Sequence, residues 1–178
     1  MPPLRIRIFG DPVLRERAAE VTEFDDGLRR LAADMRLTVL AAQGAAIAAN
    51  QVGVLKRLFV WTNSSIPSLP DGDIVNPEII EVSEEMELGE EGCLSFPGLF
   101  YPTKRPLRAH LQGYDLYGEP TNVKGEGIDA RMLLHELDHL NGILFIDHLA
   151  RHDRKEAMRR IRRGELERPN VRHEGPVM

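Results

Sequence analysis

The stretch LLHELDHLNG, residues 133–142, limits the fold of this chain more than any other segment. His135 and His139 stand four apart, with Glu136 beside the first of them. Residues at that interval share a face on a helix, so a helical segment presents both imidazoles to one ion. Glu136 then lies within reach of a water next to that ion. The pattern supplies two neutral nitrogen ligands and one general base. Its leucine flanks are apolar, which predicts a packed helix rather than a surface one. Ile128, Met132, His135 and His139 fall on a single stripe, so the metal-binding face continues as an apolar wall.

A catalytic site of this kind takes a third protein ligand and keeps an open position. His148 and His152 do not have the common downstream spacing. Cys93, in GEEGCLSF, is the better candidate: its glycines allow close backbone approach, and a strand would fix its direction. It is the one cysteine of the chain. It therefore forms no internal disulfide, fits a reducing compartment, and is left as a ligand, a nucleophile or a buried filler.

The 178 residues suffice for one domain with a real core. A net charge of −5 excludes a generic nucleic-acid binder. The opening MPPLRIRIFG lacks the apolar region of a signal peptide. The most apolar window, residues 39–55, is mostly alanine and is interrupted by Gln43, Asn50 and Gln51, so no membrane span is expected.

Hydrophobic spacing predicts a first helix over 22–43, with Leu28, Leu31, Met35 and Val39 inward, Asp25 or Asp26 as its cap and Gly44 as its end. A strand follows at 57–61 and a loop at 63–73. Residues 73–96 read as two or three strands, and 107–127 as a hairpin turning near Gly118. A second helix covers Ile128 to Leu140 and stops at Asn141-Gly142. Residues 143–149 read as a buried extended piece, and a charged helix begins near His152. The expected architecture is a single α+β domain: short mixed or antiparallel sheets around a central metal-binding helix, plus a C-terminal helix. The catalytic domain is expected over 1–164, with 165–178 as a flexible tail.

Three segments, GAAIAANQ (44–51), EGCLS (91–95) and HELDH (135–139), together with DPVLR near the start and VNP before the cysteine, resemble the motifs of peptide deformylases in order and separation. The resemblance spans about Phe9 to Leu149. It implies that Cys93, His135 and His139 bind one divalent metal, Fe(II) in the first instance, with nickel, cobalt or zinc also accepted. It implies that Glu136 is the general acid/base. Gln51, through its side-chain amide, and Leu94, through its backbone N–H, would meet the formyl oxygen. Glu91 is expected to pair with Arg105 behind the cysteine. Gly44, Ala45 and Ala46 would lie along the substrate backbone, as an added strand does. Ile128 and Met132 would line the methionine pocket, although for Met132 plain core is an equal reading. The implied activity is hydrolysis of the N-formyl group from the N-terminal methionine of nascent chains, releasing formate in the cytoplasm.

Two positions depart from the family pattern. Ala46 stands where a second glycine is usual, and a methyl there would crowd the peptide or strain a left-handed backbone. Leu134 stands where glutamine normally precedes the third motif. Residues 151–163 hold seven basic residues against two acids, a net of +5 that leaves −10 on the remainder. The family resemblance makes this a ribosome-docking helix; the competing reading is a solvated helix with Ala157 and Ile161 inward. Two rival functions stay open at this level. One is an H-E-x-x-H metalloprotease with a dispensable Cys93, and the other is a non-catalytic, ribosome-associated relative.

Overall fold

The computed structural model describes residues 3–63 and 68–166. Positions 64–67 of the expected loop, and the tail beyond 166, lie outside the described residues.

The first helix, α1, runs Asp26–Ala41. Asp25 is its cap: the carboxylate accepts from Leu28 N at 2.8 Å. Leu28, Ala32, Met35 and Val39 are fully buried on its inner stripe. The helix ends two residues sooner than expected, and the left-handed residue after it is Gln43 (φ 56°) rather than Gly44. Gly44 is small for another reason: a Cβ there would sit 2.9 Å from Leu94 Cδ1.

Among the described residues seven strands follow: β1 Ala46–Ala48, β2 Leu58–Trp61, β3 Gly72–Val82, β4 Met86–Gly92, β5 Phe100–Pro106, β6 Arg108–Tyr114 and β7 Pro120–Glu126. They form a five-stranded sheet in the order β1-β2-β3-β6-β7 and a separate β4-β5 pair. All these pairings are antiparallel, which resolves the expected mixed or antiparallel character. An isolated bridge, Ala19 to Lys56, is parallel. The β6–β7 hairpin turns through Gly118 (φ 86°), where it was expected.

The period of two along the strands sorts the core into two layers. Ile47, Leu58, Val60 and Val75 belong with the inner face of α1. Ala46, Ala48, Phe59, Trp61 and Ile74 belong with Met132, Leu133, Leu137 and Leu140 of the second helix, α2. That helix runs Ile128–Leu140, as the sequence predicts. It packs on β1, β6 and β7 of the large sheet and on β5 of the small one. Burying its leucines contributes about 1.5–3 kcal/mol each. The alanines of β1 let this helix come close to the sheet edge. Its stop at Asn141-Gly142 is fixed by space as well as by dihedral. Gly142 has φ 74°, and a Cβ on it would lie 2.4 Å from the Arg15 carbonyl.

The segment expected to be extended at 143–149 is instead a 3-10 turn, Phe145–Asp147. Asp147 closes it by accepting from Leu144 N at 3.0 Å. Leu144, Phe145, Ile146 and Leu149 are nonetheless buried. The last helix, α3, runs Arg151–Arg162. It docks through Ala157, Met158 and Ile161 on a cluster that includes Leu99, Tyr101 and Phe145. The basic residues Arg151, Arg154, Lys155, Arg159 and Arg162 are exposed.

Candidate active site

Helix α2 carries His135 and His139 on adjacent turns, and the turn after β4 carries Cys93. The cysteine follows the strand rather than lying in it, and its carbonyl accepts from Phe96 N at 2.8 Å. Cys93 Sγ stands 3.3 Å from His139 Nε2, and the two Nε2 atoms are 3.1 Å apart. All three residues are at most 1% exposed. Bonds of about 2.0–2.1 Å to nitrogen and 2.3 Å to sulfur at tetrahedral angles set such donors roughly 3.3–3.6 Å apart. One thiol and two imidazoles at these separations fit a single transition-metal ion.

Each donor has an environment that sets its chemistry. Glu91 Oε1 accepts the Nδ1 proton of His135 at 2.6 Å, leaving the Nε2 lone pair facing the other donors. Burial, then the neighbouring His135, holds the pKa of His139 well below the usual value, so it is a neutral ring. Burial pushes the Cys93 thiol up, partly offset by the Ser95 amide at 3.4 Å; a bound cation reverses that balance and favours the thiolate. Burial also favours a neutral Glu91. His135 and Arg105 outweigh it and hold that carboxyl well below the usual range.

Glu136 is fully buried and neither carboxylate oxygen has a partner among the described residues. Burial, then the nearby Glu91, raises its pKa well above the usual value. An unpaired buried carboxyl beside a cluster of metal donors is a group held ready for a proton.

Of the other expected residues, Gln51 and Glu91 contact the donors, and Arg105 contacts Glu91. Gln51 sits in the 3-10 turn Ala49–Val52. Its Oε1 accepts from Ala48 N at 2.8 Å, which turns Nε2 towards Cys93 Sγ (3.5 Å) and Ser95 Oγ (3.2 Å). The N–H of Leu94 takes no partner among the described residues. Arg105 grips Glu91 at two points, Nη2 to Oε1 at 2.7 Å and Nε to Oε2 at 3.1 Å. This carboxylate meets His135 rather than the cysteine. Gly44 and Ala45 are buried just before β1, and the buried Ala46 opens that strand at an edge of the large sheet. Ala46 pairs with Trp61 and is not among the residues with positive φ, so the backbone strain considered for it is absent. Met132 is fully buried, and Ile128 is half-buried against the same cluster. Leu134 packs with Ala109 and Ala130.

Several residues at the site escape a reading of the sequence. Asn50 donates from Nδ2 to the carbonyl of His139, tying the segment 44–51 to α2. Ser95 faces both Gln51 and Cys93. Asp138 links Arg105 (2.5 Å) to His148 (2.7 Å). Arg131 lies against Glu91 at 3.1 Å. Asn50 and Ser95 were signalled only by sitting inside the quoted motifs. Arg131 carried no such signal.

Comparison with known proteins agrees with this geometry. Residues 3–155 match the family model described as polypeptide deformylase. The chain belongs to the polypeptide deformylase family. It is 47% identical over 167 residues to the peptide deformylase of Acidothermus cellulolyticus, covering 94% of this chain and 90% of that one. Among solved structures, the deformylase of Legionella pneumophila superposes with a TM-score of 0.84 at 36% identity, covering 92% of this chain and 96% of that one. The Ehrlichia chaffeensis deformylase in complex with actinonin gives a TM-score of 0.85 at 37% identity, covering 94% and 100%. Deformylases depend on a metal, and the buried Cys93, His135 and His139 form the one group of donors here that is wholly enclosed, among the described residues.

Proposed function

We propose that this chain is a metal-dependent deformylase. It hydrolyses the N-formyl group from the N-terminal methionine of newly made proteins. The observation that carries this reading is the enclosed donor set of Cys93, His135 and His139, with the unpaired Glu136 carboxyl beside it.

Cys93, His135 and His139 would hold the ion, which when bound supplies Lewis acidity and makes a water at neutral pH a competent nucleophile. Thiolate and imidazole suit several ions; Fe(II) is proposed on the family resemblance, with nickel, cobalt or zinc as substitutes. The formylated N-terminus lies along β1 with its backbone beside Gly44, Ala45 and Ala46. Ile128 and the wall around Met132 receive the methionine side chain. Glu136 removes a proton from the attacking water as the formyl carbon becomes tetrahedral. The negative charge that develops on the formyl oxygen is met by the Gln51 amide and the Leu94 N–H; one such donor is worth about 3 kcal/mol in the transition state. Glu136 then passes its proton to the departing amine. Formate and a free N-terminus result.

The metalloprotease alternative makes Cys93 dispensable, and the thiol's place 3.3 Å from His139 Nε2 counts against it. The catalytic unit is assigned to 1–164. The exposed basic face of α3 is proposed to meet ribosomal RNA, and the cytoplasm, where nascent chains emerge, is the proposed location. No described helix is long and apolar enough to cross a membrane.

The test is an anaerobic assay of formate release from formyl-Met-Ala-Ser with iron-loaded protein. Stoichiometric formate with the peptide bonds intact is expected. Cleavage of a peptide bond, or metal-loaded protein that releases no formate, overturns the reading.

A further inference from the structure

Arg131 is one of the largest fully buried side chains, 2% exposed. Space is made for it from across the site: a Cβ on Gly89 of β4 would lie 2.8 Å from its Nη2. A buried guanidinium is tolerated only when it is paired and hydrogen-bonded. Here Nη1 donates to Glu91 Oε2 (3.1 Å) and to the Thr103 carbonyl (2.7 Å), and Nη2 donates to the Glu87 carbonyl (3.3 Å). The two carbonyls would suffice to tie α2 to the β4–β5 pair. The bond to Glu91 adds something else.

Glu91 is the carboxylate that receives the Nδ1 proton of His135. Its Oε1 is shared by His135 and Arg105 Nη2, and its Oε2 by Arg105 Nε and Arg131 Nη1. Arg105 is also drawn away, its Nη1 donating to Asp138 at 2.5 Å. Arg131 grips Oε2 from the same helix that carries His135, one turn earlier on the same face. Carboxylate and imidazole are therefore referenced to one rigid element. We propose that Arg131 is a positioning residue of the metal centre: it fixes the plane of the Glu91 carboxylate, and through it the ring of His135, so that Nε2 stays aimed at the site of Cys93 and His139. This rests on the reading that these three residues hold the ion.

Two variants separate the role from simple packing. Arg131→Met removes the charge and keeps much of the bulk. Gly89→Ala keeps the arginine and pushes its guanidinium off the carboxylate. Both are compared with the parent as zinc-loaded protein. The readouts are the rate of metal loss to a chelator, the downfield Nδ1–H proton resonance of His135, turnover of formyl-Met-Ala-Ser, and the Tm of the metal-free form. Arg131→Met is expected to lose metal about 10–100-fold faster, to shift or lose the resonance, and to lower kcat with KM near the parent value. Gly89→Ala moves the same readouts in the same direction by less, and Arg131→Lys restores part of the loss. A fall in Tm alone, with parental metal loss, resonance and kcat, overturns the proposal and leaves Arg131 as a tie between α2 and the small sheet. If Arg131→Met does not fold, Gly89→Ala decides by the same readouts. If the iron-loaded parent releases no formate, the deformylase reading fails, while metal loss and the resonance of the zinc-loaded protein still judge Arg131.

Discussion

Glu136 is the single residue on which the proposed chemistry turns. Nothing among the described residues binds its carboxylate, and burial, then the nearby Glu91, raises its pKa well above the usual value. Replacing it with alanine should leave metal content at one ion per chain and lower kcat by about 100-fold or more; turnover near the parent value would assign the proton transfer to another group. Ala46 gives the opposite expectation. Its backbone is an ordinary strand paired with Trp61, without positive φ. Ala46→Gly should therefore change kcat/KM for formyl-methionyl tripeptides by less than about twofold and cost roughly 0.5–1 kcal/mol of stability, since glycine weakens a strand interior. A tenfold gain in kcat/KM would show that the methyl group does crowd the substrate. The candidate donors Cys93, His135 and His139 and the neighbouring Glu136 could be singled out because the helical interval, the lone cysteine and three ordered motifs are local signals. Arg131 and Asp138 were not legible as site residues. Arg131 meets Thr103, Glu91 and Glu87 across 28–44 residues and Asp138 meets Arg105 across 33, and the packing of α2 on β4 and β5 brings these groups together.

At the scale of elements, α2 could be read to the residue because its stripe, its glycine stop and its histidine interval all say helix. The piece after it could not. Residues 143–149 carry the apolar content of a strand, yet Asp147 bends them into a 3-10 turn by accepting from Leu144 N and pairing with Arg15 and Arg154. Burial raises the pKa of Asp147, but Arg15, the Leu144 amide and Arg154 outweigh it and bring it below the usual value. A carboxyl depressed in the folded state contributes stability that is full above its unfolded pKa, near 4, and is lost as pH falls through the folded value. Asp147→Asn should cost about 1 kcal/mol at pH 7, and urea unfolding should show that difference shrinking below pH 4. An equal difference at pH 7 and pH 3 would mean that the charge is not what holds the turn. The end of α1 teaches a related lesson. Gly44 looked like a helix stop, but its small size serves the approach of Leu94, and Gln43 takes the left-handed turn.

Across the whole molecule, the large sheet separates α1 from α2, and the β4–β5 pair, with Cys93 in the turn after β4, packs on α2 through β5. The fold class was legible from the order of periodic segments. The split into two sheets was not, because strand partners are chosen by packing rather than by neighbouring sequence. Charge is as unevenly arranged as structure. Helix α3 buries Ala157 and turns its basic residues outward, against an acidic remainder. A variant with Arg151, Lys155, Arg159 and Arg162 all changed to glutamate should lose salt-sensitive co-sedimentation with ribosomes, while formate release from a free tripeptide stays within about twofold of the parent. Undiminished co-sedimentation would make the helix a solvated face. X-ray absorption of zinc-loaded protein shows whether one sulfur and two imidazoles from Cys93, His135 and His139 hold a single ion. One sulfur at about 2.3 Å and two imidazole nitrogens at about 2.0–2.1 Å are expected, and a shell without sulfur would rule that site out.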